Sequence, residues 1–341
     1  MPNALNDLLK ATSRSFYLTL RVLPARVRPQ IGLAYLLART TDTIADTDIV
    51  PLARRLDALQ ELRERIRGKS TAPLNFGELA KKQTSPAERR LLEKVEDSLA
   101  LLAKLSPADR QRVCGVLEVI TGGQKLDLQR FDGASAENII MLETNGELDD
   151  YTYRVAGCVG EFWTQLCRAH LFPRAELEDA QLLGDSIRFG KGLQLINILR
   201  DLPSDLHKGR CYLPSMELGK AGLMPSVLLS PANEPRFRPL FHHYLDVAAS
   251  HLQAGWNYTN ALPFGQMRVR LACAWPILIG VKTIERLRDA NVLELRQGIR
   301  ISRGEVYGIL LRSMLSYPLP SAWRKLFAVN RKAVASGEKL G

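Results

Sequence analysis

"PQIGLAYLLARTTDTIADTD", Pro29 to Asp48, is a mostly apolar stretch that ends in a cluster of aspartates. Its apolar positions recur at helical spacing as far as Asp46. On such a helix Asp42 and Asp46, four residues apart, share one face. Like charges there repel, by roughly a few tenths of a kcal/mol on an exposed helix and by more in a buried one. The device recurs in "NILRDLPSD", Asn197 to Asp205, where Asp201 and Asp205 have the same spacing and Asn197 lies one turn earlier. Pro203 places Asp205 in the last turn of that helix or just beyond it. Arg39 stands three residues before Asp42, and Arg200 directly precedes Asp201. Either pair alone reads as a solvated helix face. Two pairs, each after an apolar helix and each with an arginine, point to chemistry.

The rest of the chain is helical in period. In "PLARRLDALQELRERI" the residues Leu52, Leu56, Leu59, Leu62 and Ile66 recur at steps of three or four, with charge on the other face. "SPAE" (Ser85 to Glu88) is a capping box with proline at the first helical position, and "SPAD" (Ser106 to Asp109) is a variant of it. Helical patterns cover 31–46, 87–104, 107–130, 148–170, 175–201 and 240–260. No run of alternating strands stands out. Residues 68–86 read as a long loop with one helical turn, and 230–239 as a second loop. The expectation is one all-α domain over residues 1–330, a helical bundle with a central cavity, and a polar tail over 331–341.

Composition narrows the classes. The 341 residues are 46 % hydrophobic and 24 % charged, as in a folded soluble protein. The five cysteines are scattered and odd in number, which disfavours a disulfide framework or a zinc site and fits a reducing, cytoplasmic setting. The N-terminus does not read as a signal peptide. "LACAWPILIGV", Leu271 to Val281, is too short to span a bilayer. A net charge of +11 suits solubility, an anionic membrane surface touched from the cytoplasmic side, or a polyphosphate substrate. With 7 % aromatics and no binding motif, nucleic acid is not a partner.

Carboxylates beside arginines describe a ligand. Carboxylate oxygens bind Mg²⁺, substrate phosphates complete its shell, and arginine grips the same oxygens by paired hydrogen bonds. The metal reverses the local sign and makes an anion acceptable beside acidic side chains. It also stabilises charge on a departing diphosphate. An allylic carbon would then leave a carbocation, which needs an apolar cavity closed to water.

At these residues the chain resembles the squalene and phytoene synthases, most of all a bacterial squalene synthase. The matching segments are "SRSFYLTLRVLP" (Ser13 to Pro24), "AYLLARTTDTIAD" (Ala34 to Asp46), "YTYRVAGCVGE" (Tyr151 to Glu161), "LQLINILRDLPSDLHKGRCYLP" (Leu193 to Pro214) and "GIRISRGEVYGILL" (Gly298 to Leu311). The resemblance implies Mg²⁺ on Asp42, Asp46, Asn197, Asp201 and Asp205. It implies diphosphate contacts from Ser13, Arg14, Ser15, Tyr35, Arg39, Gln194, Arg200 and Arg210. It gives Tyr151 a role in proton removal or cation stabilisation. Gln124 and Asp127 are expected to face the cavity, Arg210 and Tyr212 to close its mouth, and Gly157 and Gly160 to let a prenyl chain approach the helix backbone.

The implied reaction is squalene synthesis. Two farnesyl diphosphates condense through presqualene diphosphate, and NADPH, contacted by Arg300 and Arg303, supplies a hydride. A dehydrosqualene or phytoene synthase, which omits NADPH, is the alternative; "GRCYLP" and "VAGCVGE" lean that way. A non-catalytic family member acting as a binding or assembly factor is a remote alternative, disfavoured by the retention of both aspartate pairs.

Overall fold

The structure is a computed structural model that describes residues 3–13, 16–295 and 298–335. Helices dominate it. In chain order they are α1 (Asn3–Thr12), α2 (Phe16–Val22), α3 (Arg28–Ala45), α4 (Leu52–Arg67), α5 (Gly77–Lys81), α6 (Pro86–Glu93), α7 (Val95–Ala103) and α8 (Pro107–Arg130). A short strand β1 (Ile140–Leu142) precedes α9 (Asn145–Thr152), a π-helical turn at Tyr153–Gly157 and α10 (Cys158–His170). Then come α11 (Asp179–His207), β2 (Arg210–Pro214), α12 (Ser215–Lys220), α13 (Glu234–Ala261), α14 (Met267–Asp289), α15 (Arg303–Ser316) and α16 (Pro320–Ala335). The chain forms two compact units, Met1–Asp132 with Glu161–Ala175, and Gly133–Gly160 with Glu176–Gly341.

In the first unit α3 is the central helix. It is buried almost all round by residues such as Leu33, Leu36, Leu37 and Ile44, and it packs on α4, α6, α7 and α8. Local signals set the long α8: Ser106 caps it by accepting from the Asp109 amide, and Pro107 occupies the first turn. Asp109, itself buried, accepts from Gln30 on α3 at 3.2 Å and pairs with His170 of α10 at 2.8 Å. The long helix read over 87–104 is two helices that break at Lys94. Ser85 caps α6 through the Glu88 amide, whereas the Glu88 carboxylate turns to Arg39.

In the second unit α11 is the axis, packed most extensively against α13. It runs through Pro203 to His207, so Asp205 lies in its last turn. The helix read over 148–170 is interrupted by the π turn, and close backbone contacts flank the interruption. A Cβ on Gly160 would lie 2.0 Å from the Ser186 carbonyl oxygen, and one on Gly190 would lie 2.2 Å from that of Ala156. Gly160 therefore serves helix-to-helix approach. A Cβ on Gly157 would meet the side chains of Tyr153, Ile187 and Lys191. This corrects the expectation that these glycines open the backbone to a prenyl chain.

Further details lie at single elements. The loop read over 230–239 gives way to helix at Glu234, because Pro235 sits in the first turn, where no amide donor is needed. "LACAWPILIGV" is the buried middle of α14; no helix among the described residues is long and apolar enough to cross a membrane. β1 and β2 form a short parallel pair. Helix α16 reaches Ala335, into the stretch read as a tail, and residues 336–341 lie outside the described residues.

Candidate functional site

Two helices carry the aspartates, and both show the same burial pattern. On α3 the residues Tyr35, Ala38, Arg39 and Asp42 stay partly open while nearly every neighbour is buried, and Asp46, the C-cap, is exposed. On α11 the partly open positions include Gln194, Asn197, Asp201 and Asp205, with Leu195, Ile196, Ile198, Leu199, Leu202 and Leu206 buried between them. Steps of three and four put each set on one stripe.

Around α3 the charges are poorly compensated. Asp42 accepts a hydrogen bond from the Gln124 amide on α8. Arg39 reaches only 3.9 Å from Asp42 and gives its stronger contact to Glu88. Burial, then the Asp46 charge, pushes the Asp42 carboxyl up to about 6. Its side chain keeps 45 % of its surface, so water screens part of that push. The Gln124 Oε1 beside it is buried and has no hydrogen-bond partner. Tyr35 donates its hydroxyl to the Thr12 carbonyl at 3.0 Å and lies against Phe16. Ser13 is buried and donates its hydroxyl back to Leu9 within the end of α1. Arg14 and Ser15 lie outside the described residues.

Around α11 the arrangement differs. Arg200 grips Asp201 with two hydrogen bonds, Nε to Oδ1 at 2.9 Å and Nη2 to Oδ2 at 2.6 Å. That bond, first, raises the Arg200 guanidinium above its usual range. Asn197 donates to Gln194 Oε1 at 3.4 Å, which leaves its own amide oxygen for another partner. Tyr151, on α9, stacks on Tyr212 of β2 with ring centroids 4.5 Å apart. Tyr212 is buried, so it works as a backing plate for Tyr151. Arg210 opens β2 and is partly exposed. Arg300 and Arg303 are both exposed, on either side of Ser302, which caps α15 in a full capping box with Glu305.

Sequence reading singled out the ladders but not Glu88, the partner of Arg39. Its one local signal was its place in the "SPAE" cap. Nor did it foresee the Tyr151–Tyr212 stack, which joins residues far apart in the chain. Among the described residues no third His, Cys, Asp or Glu joins either aspartate pair as a metal cluster. The donor sets still suit Mg²⁺, a hard cation that takes few carboxylates and leaves room for water and phosphate. The elevated Asp42 and the orphaned Gln124 oxygen mark a place where added positive charge would be stabilising.

The mostly helical fold that carries the two aspartate ladders resembles squalene synthase structures, the isoprenoid-synthase helical fold. The chain belongs to the squalene/phytoene synthase family, whose model matches residues 9–305. It is 26 % identical over 309 residues to squalene synthase ERG9 of Saccharomyces cerevisiae, a match covering 90 % of this chain and 66 % of that protein. It is 30 % identical over 273 residues to a bifunctional lycopene cyclase/phytoene synthase of Gibberella fujikuroi, covering 78 % of this chain and 44 % of that one. The chain thus spans less than two thirds of the length of these curated relatives. A solved TcSQS complex with the ligand E5700 superposes with a TM-score of 0.79 at 20 % identity, covering 97 % of this chain and 90 % of that chain. The family is one of prenyltransferases that typically use Mg²⁺.

Proposed function

We propose that this protein is a squalene synthase that joins two farnesyl diphosphates head to head through presqualene diphosphate. The observation that carries the reading is the pair of half-open aspartate stripes on otherwise buried helices. Asp42 and Asp46 on one helix, and Asn197, Asp201 and Asp205 on the other, would hold Mg²⁺. Bound there, Mg²⁺ supplies stabilisation of the negative charge on a departing diphosphate.

The chain's own residues do the rest. Arg200 orients Asp201 by its two hydrogen bonds and offers its remaining N–H groups to phosphate oxygen. Gln194 and Arg210 would position the anion at the second ladder, and Arg39, braced by Glu88, one at the first. The C–O bond of the donor breaks, and the allylic cation is attacked by the acceptor's double bond. Proton loss then closes the cyclopropane. Tyr151, held by Tyr212, presents a ring face to the cation and a phenolic oxygen for that proton. Arg300 and Arg303, exposed guanidinium groups, suit the phosphates of NADPH, which supplies the hydride of the final reduction. Five free cysteines support a reducing, cytoplasmic setting.

The kinship with a phytoene synthase supports a second reading, a synthase that stops before reduction. Farnesyl diphosphate and Mg²⁺, offered with and without NADPH, separate the two by their lipid products. Squalene formed only with NADPH is the expected result. Dehydrosqualene regardless of NADPH, or phytoene from geranylgeranyl diphosphate, establishes the second reading. No turnover of either substrate leaves the non-catalytic alternative.

A further inference from the structure

The α15–α16 hairpin has two apolar sides, and folding uses only one. On the inner side Ile309, Leu310, Ser313 and Tyr317 are buried. There the Trp275 indole of α14 donates to Ser313 at 2.9 Å. Below the turn, Arg270 is buried against the rings of Phe264, Tyr317 and Trp323, each within 5.7 Å. Both Arg270 and the Trp323 indole donate to Asn260 Oδ1. The hairpin is therefore firmly seated from within.

Its outer side is nonetheless apolar. Tyr307 (62 % exposed), Leu311 (55 %) and Leu315 (67 %) form an i, i+4, i+8 stripe on α15, and Met314 and Leu319 widen it. Phe264, stacked on Tyr317 at 5.0 Å, is exposed as well. Burying one such side chain is favourable, so leaving this many in water is costly unless something covers them.

Charge identifies the cover. From Gly298 to Ala335 the only acidic residue is Glu305, whose carboxylate is engaged by Arg286 and Ser302. Exposed cations accompany the stripe: Arg312 lies on its flank by helical geometry, and Arg324 and Lys325 follow on α16. An apolar stripe with cationic margins is the pattern of a helix lying in a lipid interface, apolar side down and cations among the headgroups. A second copy of the chain would bring like-charged margins together, which disfavours self-association.

We propose that the outer face of α15, continued through Leu319, docks on an anionic phospholipid surface. This stands apart from the choice of product and from the reaction itself, because it rests on surface chemistry alone.

The test is co-sedimentation of the full chain with vesicles of phosphatidylcholine alone and with vesicles in which about a third of the lipid is phosphatidylglycerol. Consumption of farnesyl diphosphate in lipid-free buffer is followed separately. The protein should partition to the anionic vesicles and release as salt rises. Leu311→Ser with Leu315→Ser should weaken that binding about tenfold or more, with an unchanged circular dichroism spectrum. Arg312→Glu with Lys325→Glu should weaken it by a similar factor, about tenfold, on anionic vesicles. Lipid-free turnover of both double variants should match the parent. Failure of the parent to bind anionic vesicles overturns the proposal. So does a leucine variant that binds as tightly as the parent. A parent dimer in light scattering that the leucine variant abolishes, without vesicle binding, overturns it in favour of a second copy as the cover.

Discussion

Helices α3 and α11 carry the same aspartate spacing and the same open stripe, yet they manage charge in opposite ways. On α11 the neighbouring guanidinium is committed to Asp201 by two hydrogen bonds. On α3 the corresponding arginine is drawn to Glu88 and keeps only a 3.9 Å contact with Asp42, beside which stand a neutral amide and a rival carboxylate. The first arrangement fixes a carboxylate's direction. The second leaves one short of positive charge. A cation therefore gains most at α3 in charge neutralisation, and at α11 in preset geometry.

Neutralising either ladder should have the largest effect. Asp42→Asn and Asp201→Asn are each expected to lower kcat/KM by about 10³-fold while the helical circular dichroism spectrum stays unchanged. Full activity in either folded variant would break the symmetry assumed between the helices. The arginines should then separate them. Arg200→Lys loses the two-pronged grip and should cost about 30-fold, whereas Glu88→Gln, which only loosens Arg39, should cost about threefold. Equal losses would show that α3 is as rigidly organised as α11. Smaller still, Gln124→Leu removes the one donor to Asp42 and should raise the half-saturating Mg²⁺ concentration about threefold with little change in kcat. A change in kcat alone would place Gln124 on the substrate instead.

The ladders were legible in the sequence because spacing alone sets which side chains share a helix face. The α8 boundaries were equally legible, since Ser106 and Pro107 are local start signals. Lys94 was not legible as a break, because Leu91, Leu92, Val95, Leu99 and Leu102 keep an apolar period across it. The π turn lies beside Gly160 and the backbone that Gly190 meets, tertiary contacts with no local mark. Helix α14 hid for another reason: its apolar middle is buried on every side, which erases the amphipathic period. At the site, spacing located the carboxylates and their arginines but not the contacts made across elements. Glu88, Gln124 and Tyr212 all reach their targets from other elements.

The smallest expected effect concerns the other face of α11, against α13. His251 accepts from Arg188 Nε at 3.4 Å and packs on Gly192, in a half-open cavity of about 340 Å³ that Lys191 and Asp149 also line. Burial, then the charges of Arg188 and Lys191, hold its imidazole down to about 4, with Asp149 opposing weakly. In the unfolded chain the same group titrates near 6.5. Between those two values the unfolded state binds the extra proton. His251 therefore contributes stability that is complete above about pH 6.5 and is lost as the pH falls toward 4. Partial exposure limits the swing to about 1 kcal/mol. Urea midpoints measured from pH 7 to pH 4.5 should fall for the parent and fall less steeply for His251→Asn. If the two slopes coincide, this face of α11 is already wet, and its sealing by a neutral histidine is not what distinguishes it from α3.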